Sequence, residues 1–426
     1  MFSENRNTIL AIVLSLIVLL GWQYFVAQPQ LDRQQAELKA QQEATQQAAG
    51  AQDPQAPVPN TVPGQANAPA APASAAATAA TREAALDATT RVTIDTPRLS
   101  GSINLAGARL DDVRLKDYHE TVDKSSPTIV LFSPKGSPKP YYADYGWVAD
   151  SNSSITLPGP DTVWSVKGSG QLTPATPVTL TYDNGEGLVF ERTYTIDENY
   201  MFTVEQSVVN NSGTPVTLYP YGLIARNGAP ETTGFYILHE GLLGVFGEEG
   251  LMEVDYSNVQ EDGPVRPAQV DQGWLGITDK YWAATLIPTP GTTFQPGFSY
   301  AAGSGNFQAD FLGNAVNIPT GGSADTSSFL FAGAKETNLI DSYEAALSIA
   351  NFELLIDWGW FYFLTKPMFF AIDWLFKLVG NFGVAILLVT VGIKLVFFPL
   401  ANKSYVSMSK MKLVQPQMTE IREKHK

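Results

Sequence analysis

Lys394 is the one charge in the run from Asn381 to Leu400, NFGVAILLVTVGIKLVFFPL, and that isolation makes it the first candidate for chemistry. A bilayer core of ~30 Å takes about 20 apolar residues in a helix, so the run predicts a transmembrane span. An ammonium at the centre of a span costs roughly 2.5–3.5 kcal/mol, which marks an intramembrane lysine as a functional-site candidate. Thr390, one turn before it, and Leu387, two turns before, share its helix face and complete a weakly polar stripe. Two readings are open from these residues alone. The ammonium snorkels toward Asn402, about 12 Å along the axis, or it lines a water-filled intramembrane site.

A second set of charges precedes the span. In Asp357 to Val379, DWGWFYFLTKPMFFAIDWLFKLV, Lys366, Asp373 and Lys377 are separated by seven and four residues and fall on one helix face. Asp373 and Lys377 also form a favourable i,i+4 pair. With Trp, Phe and Leu around the rest, the pattern predicts an amphipathic helix lying in the membrane interface, with Pro367 in its first turn. The competing reading is a longer spanning helix kinked at Gly380–Gly383, which would bury three charges.

Charge sets the direction of the span. Residues 401–426 carry six basic residues against Glu420 and Glu423; subtraction from totals of 27 and 42 leaves 21 against 40 before them, so the tail is +4 and the rest −19. A short basic flank belongs on the cytoplasmic side, so the span runs outside to inside. In the tail, a basic helix interrupted at Pro416 carries Met408, Met411, Lys410 and Lys412, candidate contacts for a cytoplasmic partner because methionine packs adaptably. Its plainer reading is one half of a helical hairpin.

Other chemistry is excluded or weak. There are no cysteines, and His119, His239 and His425 stand in no metal-ligand spacing, so no metal and no cofactor is expected. His119–Glu120 and His239–Glu240 could each supply an acid and a base, but neighbours on a strand point to opposite faces, so no catalytic residue is assigned and no enzyme is expected. A net charge of −15 with 16% charged residues argues against nucleic-acid binding.

Texture predicts the framework around these residues. Residues 1–7 precede Thr8 to Val26, a second uncharged span; Trp22, Tyr24 and Phe25 replace the small residues of a signal-peptide cleavage site and favour an uncleaved anchor. Its neighbour fixes its direction as inside to outside. Residues 27–90, rich in Gln, Ala and Pro, predict a disordered tether. Residues 91–337 alternate in short segments, with a hairpin expected where Phe190–Val209 turns at Asp197–Asn199, and predict a large antiparallel β-sandwich outside the membrane. Residues 338–356 switch to helical spacing, with Leu339, Tyr343, Ala346, Leu347 and Ala350 on a face that could dock on the sheet. The fold class expected is thus a membrane protein: anchor, tether, periplasmic sandwich with a C-terminal helix, interfacial helix at 357–379, second span at 381–400, and the start of a cytoplasmic helical hairpin at 401–426.

Four stretches resemble the YidC family of membrane protein insertases, Gram-negative relatives of the mitochondrial Oxa and chloroplast Alb proteins. They are GWLGITDKYWAATLIP (Gly273–Pro288), LFAGAKE (Leu330–Glu336), DWGWFYFLTKPMFFAIDWL and VGNFGVAILLVTVGIKLVFFPLANKSYVSMSKMKLVQPQM (Val379–Met418). The resemblance implies insertion of integral membrane proteins into the bacterial inner membrane through a hydrophilic groove open to cytoplasm and lipid. Lys394 falls at the groove's basic position, where many relatives carry Arg. It also implies newly made membrane proteins as clients, the Sec translocon as a partner, and the ribosome or signal recognition machinery on the cytoplasmic side. Such proteins continue into four more spans, so the chain reads as a fragment ending after the second. Two other readings stay open: a membrane-tethered periplasmic binding module, and a sugar-active enzyme on the sandwich. Deleting the sandwich would abolish either activity and spare an insertase.

Overall fold

The computed structural model describes residue 79 and residues 81–150, 153–168, 170–230, 238–359 and 361–424. The expected N-terminal span at 8–26, the residues before it, and the tether as far as residue 78 lie outside the described residues. Residues 81–90, expected within that tether, are ordered into structure: Thr81 caps the short helix Arg82–Asp87 by accepting from Ala84 N at 3.2 Å. Arg82 then ties this helix to Asp112, to Ser133 Oγ at 3.2 Å and to the Phe132 carbonyl at 3.0 Å.

The strand Leu188–Ile196, LVFERTYTI, shows how the sandwich is built. Leu188, Phe190, Arg192, Tyr194 and Ile196 point inward and the residues between them face outward, as period-two alternation requires. It pairs antiparallel with Met201–Asn210. The turn between them is closed by the Asp197 carboxylate, which accepts from Asn199 N at 2.9 Å and Met201 N at 3.0 Å. This is the expected hairpin.

Among the described residues, repetition of that pattern builds two sheets. The nine-stranded sheet runs from Gly250–Val254 through Gly241–Phe246, Gly273–Thr278, Trp282–Pro288, Ser323–Ala334 and the hairpin to Val178–Asp183 and Ser165–Lys167. The ten-stranded sheet centres on Val216–Asn227, Tyr141–Ala149 and Arg109–His119. Among the described residues every strand pairing is antiparallel except the short one in which Thr93 and Ile94 lie beside Gln171 and Leu172. The inner faces share one continuous core that includes Leu110, Trp147, Ile224, Phe190, Phe202, Trp274 and Phe331. Burying each such side chain contributes about 1.5–3 kcal/mol, so packing rather than strand propensity holds the domain.

The helical segment after the sandwich differs from the expected one. The helix is Thr337–Leu347; Ser348 and Asn351, at φ 54° and 51°, end it and lead into the single turn Phe352–Leu355. Thr337, Ile340 and Tyr343 are its buried residues, and Leu339 and Leu347 of the expected face also pack on the core, whereas Ala346 is exposed. The Tyr343 hydroxyl adds a polar tie, bonding Asp197 and accepting from Tyr200 N at 3.1 Å.

Candidate intramembrane site

Two helices complete the described chain. Tyr362–Val379 begins five residues later than the expected 357–379 segment, and Pro367 sits inside it rather than in its first turn. Its start is held by Thr365 Oγ1, which donates to the Trp358 carbonyl at 2.9 Å. Gly380, at φ 72°, ends it, and its N–H bonds the Phe376 carbonyl at 2.7 Å. Asn381 caps the next helix, accepting from Val384 N at 3.1 Å. A two-residue link thus joins the two.

The second helix, Phe382–Lys424, is 43 residues long, about 65 Å at 1.5 Å per residue and twice a bilayer core. Among the described residues it is the one helix long and apolar enough to cross a membrane. The expected break at Pro416 is absent, and Pro399 is also passed. Each proline removes one backbone donor while the bonds of adjoining turns continue.

Lys394, Thr390 and Leu387 stand on successive turns of this helix; Lys394 and Leu387 are exposed and Thr390 carries its hydroxyl on the exposed surface. Thr390 Oγ1 donates back to the Ile386 carbonyl at 2.8 Å, so its hydroxyl proton is satisfied within the helix. Around them Val391, Leu395, Val396, Phe397 and Phe398 are exposed and apolar, leaving Lys394 the lone charge of that surface. Met408, Lys410, Met411 and Lys412 lie on the same helix beyond the apolar stretch, all exposed.

The three charges of the amphipathic helix do not act together. Lys377 pairs with Asp373 at 2.6 Å on the exposed side. Lys366 instead pairs with Asp341 at 3.2 Å and with Glu353, and its side chain is only 16% exposed. Nothing in linear spacing connects Asp341 and Glu353 to Lys366, so sequence reasoning misses both.

The sandwich is tied to this region by a second cluster. His239 N donates to Asp357 Oδ2 at 3.2 Å, and its ring Nε2 lies 2.9 Å from the Leu242 carbonyl, a structural role for that histidine. Lys335 Nζ donates to Thr278 Oγ1 at 2.9 Å. Burial pushes the Lys335 ammonium down to about 8, partly offset by Asp279, Asp357 and Glu240. Among the described residues no His, Asp and Glu group could hold a metal.

Residues 91–371 match the model of the YidC periplasmic domain, and residues 374–426 match that of the 60Kd inner membrane protein family. The chain belongs to the YidC membrane protein insertase family. The membrane protein insertase YidC of Beijerinckia indica is 50% identical over 428 residues, covering the whole chain and 70% of that relative. That of Nitrobacter hamburgensis is 50% identical over 436 residues, covering the whole chain and 69% of the relative. The sandwich of this YidC-family chain is therefore the family's periplasmic domain, and the family acts on membrane proteins in the inner membrane. A galactose mutarotase-like protein from Lactobacillus casei overlies 57% of the chain and all of its own length with 13% identity and a TM-score of 0.40, too distant to bear on function. The readings in which the sandwich is a binding module or a sugar-active enzyme give way to an insertase.

Proposed function

We propose that Lys394 supplies the positive charge with which this YidC-family chain receives its clients. The observation that carries this reading is one ammonium on an otherwise apolar, exposed helix surface of spanning length, with Thr390 and Leu387 on its face. In low dielectric a fixed cation lowers the cost of drawing a carboxylate or polar loop part-way through the bilayer. Hydrophobic partition of the client's own apolar segment then completes insertion. A lysine acts here as a point charge and lacks the bidentate fork of arginine.

The basic tail after the apolar stretch supports a cytoplasmic location for Met408, Lys410, Met411 and Lys412, where they would meet the ribosome or signal recognition machinery. The same orientation puts the N-terminus in the cytoplasm in a multi-pass arrangement, the Asp357–Val379 segment at the outer interface, and the Sec translocon within reach as a partner. In the full-length protein, Lys394→Arg should keep insertion of a small acidic client and Lys394→Ala should lower it about tenfold, equivalent to 1.36 kcal/mol of barrier. Full insertion by Lys394→Ala at normal expression would reject the reading in favour of snorkelling.

A further inference from the structure

The amphipathic helix Tyr362–Val379 is fastened to the periplasmic domain at its second turn. Lys366 reaches Asp341 on the helix Thr337–Leu347 and Glu353 in the turn Phe352–Leu355, and its ammonium lies 5.9 Å from the Trp358 ring centroid. Trp358 in turn meets Phe369 edge-on at 5.6 Å. The two carboxylates sit on a rigid base. Phe352 packs edge-on against Trp274 at 5.5 Å and Phe331 at 5.7 Å, Ile340 and Leu355 are buried, and Trp274 Nε1 donates to the Ala350 carbonyl at 3.2 Å.

The apolar face of a helix on a bilayer confines its roll only within the width of that face, and a contact outside the lipid narrows it to one angle. Lys366 alone of the three charges meets the sandwich, and holding it turns the helix face that also carries Asp373 and Lys377 toward that side. The opposite side, carrying the exposed Leu364 and Leu378, is then committed to the other direction. Only Gly380 and Asn381 separate this helix from the one that carries Lys394.

We infer that Lys366 is a positioning residue for insertion: its double ion pair with Asp341 and Glu353 sets the roll of the amphipathic helix on the membrane and, through the short link, the start of the spanning helix. This rests on the family's insertase activity and on the outer-interface position proposed for the helix, and is independent of the role proposed for Lys394.

These 426 residues contain no cysteine, so with any cysteine elsewhere in the full-length protein replaced, the protein reconstituted in liposomes allows a direct test. Lys366→Gln, and the pair Lys366→Cys with Glu353→Cys left unlinked, should each lower client insertion about tenfold, or 1.36 kcal/mol. Bridging the two cysteines with a short bis-maleimide should restore insertion although no charge is returned. A single cysteine at Leu378 should react faster with a water-soluble maleimide in the Lys366→Gln background than in the wild type, because the helix rolls. Thermal unfolding of the sandwich, followed in each variant, separates loss of positioning from loss of folding, and the bridged pair decides where a variant unfolds early. Undiminished insertion by Lys366→Gln overturns the inference. So does failure of the bridge to restore insertion.

Discussion

The phenol of Tyr194, in the nine-stranded sheet, donates at 2.6 Å to the carbonyl of Ala108, in the turn that joins two strands of the facing sheet. Gly107 and Ala108 are both left-handed, at φ 79° and 52°, and a Cβ on Gly107 would come within 2.7 Å of the Pro160 carbonyl. Arg192 uses the same turn, donating to the Gly107 and Ala108 carbonyls at 3.2 and 3.0 Å and to that of Tyr145. Tyr194→Phe should therefore destabilise the domain by about 1–2 kcal/mol. Arg192→Ala, which strips a fully buried cation from three carbonyls and from the neighbourhood of Asp144, should cost about 3–5 kcal/mol. Denaturant midpoints of the periplasmic domain measure both, and equal losses would show that the phenol matters as much as the charge.

Lys335 makes stability depend on alkaline pH with a definite sign. Its folded pKa is lowered to about 8 from 10.5. Below pH 8 both states hold the proton and the fold bears the full cost of a buried charge. Between 8 and 10.5 only the unfolded chain holds it, so stability rises with pH across that window. Lys335→Met should abolish the rise and gain up to roughly 3 kcal/mol at neutral pH, less the bond to Thr278. Subtracting the variant's pH–stability curve from the wild type's cancels the other titrating groups. Parallel curves would reject the assignment.

Gly333 allows a close approach that no side chain can share. A Cβ there would lie 2.2 Å from Tyr200 Cγ, and the Tyr200 ring is held edge-on to Phe331. Gly333→Ala should lower stability by about 1–3 kcal/mol through overpacking. Gly303→Ala, whose Cβ meets nothing within 4 Å, should change it by less than about 0.5 kcal/mol. Similar losses at both sites would argue against the steric account.

Residues 79–356 should fold alone with one cooperative transition, because both sheets and the docked helix share one core. Starting instead at residue 91 removes Arg82 and leaves Asp112 with Ser102 at 2.6 Å and Arg114 at 3.8 Å. The shorter fragment should be weaker by about 3 kcal/mol, the scale of breaking one partner from a buried pair. Coincident melting curves would mean that the helix Arg82–Asp87 contributes nothing.

Local period and charge were enough for part of this fold. Alternation in Phe190–Val209 specified a hairpin, an apolar run of about 20 residues specified a helix long and apolar enough to cross a bilayer, and four distinctive stretches specified the family. Each of these signals sits within a few turns or one strand pair, where the physics is contained in neighbouring residues. Contacts between distant segments settled other features. Lys366, Asp373 and Lys377 form one stripe by spacing, yet only Lys366 meets Asp341 and Glu353, which lie 25 and 13 residues away in the chain. Arg192 stands at an inward position where the alternation calls for an apolar side chain, and only the facing sheet supplies the carbonyls that let it be buried. The pattern of Thr337–Leu347 places Leu339, Tyr343 and Leu347 against the core, but the bond from Tyr343 to Asp197 joins residues 146 apart and no helix period records it. A buried ion is tolerated only where distant chain segments complete its hydrogen bonds, and no local pattern records which segments those are.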